Sequence, residues 1–82
     1  MKTEQHFEDF IAIYNNGKVV KFEPTSWADI SGCVRGIIRF LRKNKIDGEF
    51  VLRFNGKKLR MSRLSNPNEL VNEYWGRKEF GL

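Results

Sequence analysis

The sequence predicts an α+β fold. We expect a single two-layer domain of order ββαββα, with one long helix packed on one face of a four-stranded mixed sheet and a short C-terminal helix. Three observations lead to this prediction. An Asn-Gly pair separates strand-like segments at Asn16-Gly17 and again at Asn55-Gly56, which is the pattern of a β-hairpin. Apolar residues between the two hairpins recur at helical spacing. With 82 residues, the chain has room for only one hydrophobic core.

The first predicted hairpin joins residues 11–14 to residues 18–22, and residues 1–6 are expected to be frayed. A two-residue turn sets the register, and alternate side chains of a strand point to opposite faces of the sheet. The side chains that this register directs to the core are Ile11, Ile13, Val20 and Phe22. Those that it directs outward are Ala12, Tyr14, Val19 and Lys21.

A long amphipathic helix is predicted over residues 27–44, with Ser26 as its N-cap and Asp29 in a capping-box position. Its apolar face comprises Ile30, Cys33, Val34, Ile37, Ile38, Phe40 and Leu41. Its opposite face carries the basic residues Arg35, Arg39 and Arg42, here called the arginine stripe, and Lys43 follows them. Gly32 and Gly36 each cost helix stability, so we expect another part of the fold to approach the helix closely there.

The second predicted hairpin joins residues 49–54 to residues 57–64. The side chains expected on its core face are Phe50, Leu52, Leu59 and Met61. Those expected on its outer face are Val51, Arg53, Lys58 and Arg60. A short helix then begins with Asn66 as N-cap and Pro67 at the first helical position. Residues 77–82 are expected to form a loosely held tail.

Two hairpins around one long helix resemble the β-grasp, or ubiquitin-like, superfold over residues 10–75, and residues 59–75 resemble the strand-then-helix close of PB1-type interaction domains. The resemblance implies one mixed sheet whose first and fourth strands lie centrally and parallel. It is a likeness of arrangement and transfers no binding residues. The chain ends in Phe80-Gly81-Leu82, where conjugating modifiers carry two glycines, and its second hairpin is basic where one PB1 type is acidic.

Positive charge is concentrated in the middle of the chain. The net charge is +5, and residues 30–68 hold ten lysines and arginines against two acids, Asp47 and Glu49. Residues 1–29 sum to −2 and residues 69–82 to −1. A block this basic favours an anionic partner, which is either an acidic protein surface or nucleic acid.

Two basic surfaces are candidate binding sites. The arginine stripe, with Lys43, has no Asp or Glu between residues 31 and 46, and like charges one turn apart cost helix stability. The outer sheet face is the second candidate, and the residues that we expect there together are Arg53, Lys58, Arg60, Tyr14, Val19 and Lys21. In a two-layer fold these surfaces point away from each other, so one flat ligand contacts only one of them.

The remaining aromatic and nucleophilic residues indicate binding and not catalysis. Trp27 and Tyr74 are expected in the core, and Trp75 is the predicted interface anchor. Cys33 is read as a small buried hydrophobe and His6 as a solvated residue, and neither has the partners of a catalytic or metal site. No catalytic, cofactor-binding or metal-binding residues are predicted.

The sequence thus predicts a small non-enzymatic binding module, such as an adaptor or inhibitor that docks on an acidic protein through its basic surfaces. Nucleic-acid binding through phosphate contacts is the alternative. A small solitary domain also suits a regulator encoded by a phage or mobile element and directed at a host protein. We expect a cytoplasmic setting, no membrane contact, and a homodimer as an option through a sheet edge or the outer sheet face.

Overall fold

The computed structural model describes residues 1–76 and contains five strands and two helices in that range. Their bounds in chain order are β1 (Lys2–His6), β2 (Phe10–Asn15), β3 (Lys18–Pro24), α1 (Ile30–Lys43), β4 (Phe50–Phe54), β5 (Lys57–Met61) and α2 (Pro67–Tyr74). The predicted α+β class with one long and one short helix is confirmed. The predicted tail, residues 77–82, lies outside the described residues.

The strands form two separate antiparallel sheets, so the prediction of one four-stranded mixed sheet is wrong. One sheet has the order β1-β2-β3 and the other pairs β4 with β5. Strands β3 and β4 contact each other, but no ladder joins them and no parallel pair occurs within residues 1–76. The parallel central pair that the β-grasp resemblance implied is therefore absent from the described chain.

The N-terminal segment is a strand and not a frayed end. All of β1 pairs with β2, from Lys2 opposite Asn15 to His6 opposite Ile11. Its five side chains are all exposed, so β1 has no apolar face of its own. A segment without apolar alternation carries no strand signal in the sequence, and only pairing with β2 makes it a strand.

A bulge in the first hairpin reverses the predicted faces of β2, whereas Phe22 and Lys21 of β3 face the core and the solvent as predicted. Near the turn the register is as expected, with Tyr14 opposite Val19, but it then shifts by one residue so that Ala12 faces Phe22. The one-residue shift places Ala12 on the same face as Phe22, where the expected register had placed Ile11. The core is therefore filled from β2 and β3 by Phe10, Ala12 and Phe22, whereas Ile11 and Ile13 are half-buried.

The second hairpin follows the prediction. Phe50 lies opposite Met61 and Leu52 opposite Leu59, and the buried side chains alternate with exposed ones. Its turn is made by Asn55 and Gly56, both at positive φ (50° and 80°), as a type I′ hairpin requires. The first hairpin's turn has the same geometry.

Helix α1 begins later than predicted. Its N-cap is Asp29, whose Oδ2 accepts a hydrogen bond from the Gly32 amide at 3.1 Å, and Ser26 remains outside the helix. The two glycines are explained by close approach of the β1–β2 connection. A Cβ on Gly32 would lie 2.6 Å from Oδ2 of Asp9, and one on Gly36 would lie 2.9 Å from Cε1 of Phe10.

One core unites both sheets and both helices, and its buried members include six side chains of α1. Phe22 of β3 packs edge-to-face on Phe50 of β4, with ring centroids 5.2 Å apart, so side chains join the two sheets where no backbone ladder does. Helix α2 has its predicted N-cap, Asn66, with Pro67 at the first turn, and it buries Leu70 and Tyr74 against this core.

Candidate functional site

The arginine stripe is divided by the structure, since two of its three members hold the fold together. Arg42 donates from Nε to the backbone oxygen of Arg63 at 2.7 Å and from Nη2 to that of Ser65 at 3.0 Å. Arg35 donates from Nη2 to Oδ1 of Asn68 at 2.6 Å. These bonds attach the β5–α2 connection and the start of α2 to α1. Neither guanidinium forms an ion pair with a carboxylate of residues 1–76.

Arg39 and Lys43 are the members of the helix surface that the fold does not use. Neither makes a side-chain hydrogen bond or an ion pair with any of the first 76 residues. They stand one helical turn apart and are both exposed, so two like charges face solvent side by side. Of the predicted helix-face residues, these two remain available to a ligand.

The outer face of the β4–β5 hairpin is a cationic surface. Arg53 lies directly opposite Lys58, and Arg60 lies opposite Val51 on the same face. All four side chains are exposed. Like charges directly opposite each other on a sheet are destabilising, and no carboxylate of the described chain pairs with any of the three cations. The four outer-face residues predicted for the second hairpin thus share one exposed face, as expected.

A groove of about 720 Å³ runs over the line where β3 meets β4 without a ladder, and we call it the seam groove. Its wall on β3 is formed by residues 20–24, and its wall on the other sheet by Val51, Arg53, Lys58 and Arg60. Val20 and Val51 are exposed to 50% and 43%. The groove therefore combines a cationic wall with apolar contact area.

Lys21 joins the outer-face cations in the seam groove, whereas Tyr14 and Val19, predicted beside them, do not. The bulge in the first hairpin turns Tyr14 and Val19 toward the core, where they pack against its edge. Lys21 is paired with Glu23 of the same strand at 3.0 Å. The groove lining thus holds four cations and a single carboxylate.

Trp75 is exposed to 55%, in line with its predicted role as an interface anchor, but it does not line the seam groove. Its ring packs edge-to-face on Tyr74, which is buried as predicted. Lys57 lies over the Tyr74 ring and donates to the Tyr74 backbone oxygen, and Asn55 donates to its hydroxyl at 2.9 Å. The end of α2 is in this way attached to the β4–β5 turn.

Trp27 is the residue that sequence reasoning misplaced most. It was expected in the core, yet it is 94% exposed in the β3–α1 connection. The expected burial depended on a helix starting at residue 27. Because Asp29 is the N-cap, Trp27 precedes the helix and has no helical face to place it inward. Asp29 competes with Ser26 as N-cap in the sequence, because aspartate is a favoured N-cap residue that accepts from the amide three residues later, here that of Gly32.

The Cys33 thiol is not activated as a nucleophile. Burial, with a smaller contribution from the charges of Asp9 and Asp29, raises the pKa of the Cys33 thiol to about 12, so the reactive thiolate is absent at neutral pH. His6 is exposed and bonds Glu4 at 3.0 Å. No group of three metal-ligating side chains occurs in the part of the chain that the structure describes.

Comparisons with protein-family models, with curated proteins and with solved structures find no match to this chain. None of the helices within residues 1–76 has the length and apolar character needed to cross a membrane. The function is therefore inferred from the surface of the molecule alone.

Proposed function

We propose that this chain is a non-enzymatic binding module that docks an acidic, extended segment of another protein into the seam groove. The observation that carries the proposal is the charge of that groove, where Lys21, Arg53, Lys58 and Arg60 face a single carboxylate, Glu23. Arg53 and Lys58 repel each other across the β4–β5 ladder. An acidic ligand relieves this repulsion, which gives a binding free energy that no neutral ligand gains.

The spacing of the groove residues suits an extended peptide. Val51 and Arg53 are two residues apart on one strand face, and such positions repeat every 6.6–6.8 Å or so along a strand. Carboxylates at alternate positions of an extended segment have the same spacing. Successive side chains of an extended segment point to opposite faces, so exposed Val20 and Val51 offer apolar contact to an aliphatic side chain at a neighbouring groove-facing position. We therefore expect an extended partner that presents acidic and aliphatic residues on the same face.

Nucleic acid is the alternative ligand for the same cations. Phosphates bind arginine and lysine electrostatically, whatever the base sequence, so the groove cations alone would give non-specific affinity for a duplex. The aromatic residue in the lining of the seam groove, Phe22, is only 2% exposed and offers no face on which an unpaired base could stack. The exposed valines of the groove have no role against a phosphate backbone. These two features favour the acidic protein segment.

The proposal includes a role as adaptor or inhibitor, in a cytoplasmic setting, of the kind that phages and mobile elements direct at host proteins. The non-enzymatic part of the proposal is supported, within the described residues, by the thiol and the imidazole of the chain, neither of which suits a nucleophile. The Cys33 thiol is buried with a raised pKa, and His6 is exposed and bonded to Glu4. The single cysteine, which has no partner for an internal disulfide, suits a reducing compartment.

Self-association through a sheet edge or the outer sheet face was left open by the sequence, and the charges on both surfaces oppose it. Strand β1 is an edge strand, and its exposed Lys2, Glu4 and His6 are of the kind that discourages edge pairing. A dimer through the outer sheet face would bring the like charges of two copies together. We therefore expect light scattering after size exclusion to give the monomer mass in the absence of an acidic ligand.

Fluorescence anisotropy tests the proposal at about 50 and 200 mM salt. The labelled peptide presents Glu, Glu and Val at alternate positions of one face, separated by Thr. We expect binding that weakens with salt and is abolished by the double substitution Arg53→Glu and Lys58→Glu. The matched control is Lys2→Glu with Lys18→Glu, which makes the same change in net charge outside the groove. The affinity of this control for the peptide should stay within about threefold of that of the unchanged protein.

Two results would contradict the proposal. Equal weakening by both double substitutions would mean that only the net charge attracts the peptide. Tighter binding of labelled duplex DNA than of the peptide, with the same loss in the groove variant, would assign the groove to phosphates. A peptide of the same composition with its glutamates consecutive tests the expected spacing separately.

A further inference from the structure

An aromatic depression of about 390 Å³ lies where the start of the first sheet packs against α1, and it shares no lining residue with the seam groove. This volume is within the range of roughly 300–1,000 Å³ that is usual for small-molecule sites. Its aromatic wall is formed by Phe7, Phe10, Tyr14 and Phe40. Phe7 stacks on Phe10 with centroids 4.5 Å apart and meets Phe40 edge-on at 5.4 Å. Phe10 is buried, while the other three rings are half-exposed and can pack against a planar ligand.

Two side-chain amides stand at the rim of the aromatic depression, each with one end held. Oε1 of Gln5 accepts from the Tyr14 hydroxyl at 2.7 Å, and Nδ2 of Asn44 donates to the Phe40 backbone oxygen at 2.9 Å. The other ends, Nε2 of Gln5 and Oδ1 of Asn44, have no hydrogen-bond partner among the first 76 residues. The Gln5 amide nitrogen is thereby left as a donor for a ligand, and the Asn44 amide oxygen as an acceptor. The edge of a nucleobase carries the complementary groups, an acceptor and a donor.

Arg39 and Lys43, the helix-face cations that the fold does not use, also line the aromatic depression. They are one helical turn apart, so their charged ends can reach one anion together. None of the residues that line the depression is acidic. The depression thus places two cations beside an aromatic wall, and arginine in particular suits the geometry of a phosphate.

We propose that the aromatic depression binds a nucleotide. The base stacks on Phe7 and packs edge-to-face against Phe40, whose ring plane lies at 68° to that of Phe7. The edge of the base meets the two amides, and Arg39 and Lys43 take the phosphate. The nucleotide is either free or an unpaired residue of a single strand, since both have this chemistry. An aromatic carboxylate would use the rings and the cations but leave both amides without a role. The site is independent of the seam groove, and either can fail without the other.

Titration of the ¹⁵N-labelled protein with adenosine monophosphate and with adenosine tests this proposal. We expect amide shifts at the residues that line the depression. The double substitution Arg39→Gln and Lys43→Gln should lower the affinity for adenosine monophosphate about tenfold or more and leave the affinity for adenosine within about twofold. Phe7→Leu should lower the affinity for both ligands about fivefold or more, because it removes the ring on which the base stacks. Leucine keeps an apolar side chain at this position.

The matched control is Arg53→Gln with Lys58→Gln, which removes the same charge from the seam groove and should leave both affinities within about twofold. Equal weakening by the two double variants would overturn the proposal, as would the absence of shifts with adenosine monophosphate. N-acetylphenylalanine that binds as tightly as the monophosphate would reassign the depression to an aromatic carboxylate. Thermal melts of each variant verify that it is folded.

A single-stranded hexanucleotide and the matching duplex distinguish the two sources of the nucleotide. A single strand that binds about tenfold or more tighter than adenosine monophosphate identifies an unpaired strand as the ligand, and similar affinities identify the free nucleotide. A duplex that binds as tightly as the single strand would contradict the proposal, because paired bases cannot stack on the aromatic wall.

Discussion

Replacing Arg42 by methionine should destabilise the protein far more than the same change at Arg39. Both residues lie on the exposed side of α1, and methionine keeps an unbranched apolar side chain with good helix propensity. Arg42 donates two hydrogen bonds to backbone oxygens of the β5–α2 connection, at 2.7 and 3.0 Å. Arg39 makes no side-chain hydrogen bond with the described chain. The pair therefore separates the structural use of an arginine from its charge.

The size of the effect follows from the two bonds. A hydrogen bond from a charged donor contributes about 1.5–3 kcal/mol when well shielded. Both bonds of Arg42 are exposed to solvent, so we take about 1 kcal/mol for each and expect a loss of about 2 kcal/mol. A chain of 82 residues has an unfolding free energy of roughly 4–12 kcal/mol, so this loss is a large fraction of the total.

The assay is urea unfolding followed by far-ultraviolet circular dichroism, with the midpoint compared at a constant slope. Arg39→Met should change the unfolding free energy by less than about 0.5 kcal/mol, with a small gain from the repulsion it relieves. Equal losses in the two variants would refute the assignment of Arg42 to the fold and of Arg39 to a ligand.

Three further predictions use the same unfolding assay. Gly36→Ala should cost about 1 kcal/mol although alanine favours helices, because its Cβ would lie 2.9 Å from the Phe10 ring; a gain would contradict that contact. The unfolding free energy should fall between pH 9 and 12, since the unfolded Cys33 thiol loses its proton from about 9.0 and the folded one only from about 12, and Cys33→Ala should remove this part of the pH dependence. Trp27→Ser should change stability by less than about 0.5 kcal/mol, and a larger loss would contradict the exposure of that ring.

The second hairpin was predictable because apolar and polar side chains alternate along β5 and, except at Val51, along β4. In β4 and β5 each core side chain is followed by an outward one, so only one register buries the apolar set. In β2 the residues of both faces are apolar: Phe10 and Ala12 on one, Ile11 and Ile13 on the other. Alternation cannot choose between those faces, and the choice is made by packing against α1 and by the bulge near Tyr14.

The division of the arginine stripe was not predictable from spacing along the helix. The acceptors of Arg42 lie 21 and 23 residues away in the chain, and that of Arg35 lies 33 residues away. The acceptors of Arg42 are backbone oxygens, which any sequence supplies, and that of Arg35 is the uncharged side-chain amide of Asn68. None of them carries a charge signal. Sequence patterning identifies where cations cluster on an element, but only the tertiary fold shows which of them already have acceptors.

The uses of the basic residues now separate into two kinds. Arg35 and Arg42 are bonded to neutral acceptors and stabilise the connection between β5 and α2. The groove cations and the pair Arg39 and Lys43 add repulsion to a small domain and gain no carboxylate partner within the described chain, apart from Lys21. A domain of this size has a thin stability margin, so repulsion retained at two separate surfaces is best explained by anionic ligands that bind there. The exposed valines at one surface and the aromatic wall at the other are the reason why the two proposed ligands differ in chemistry.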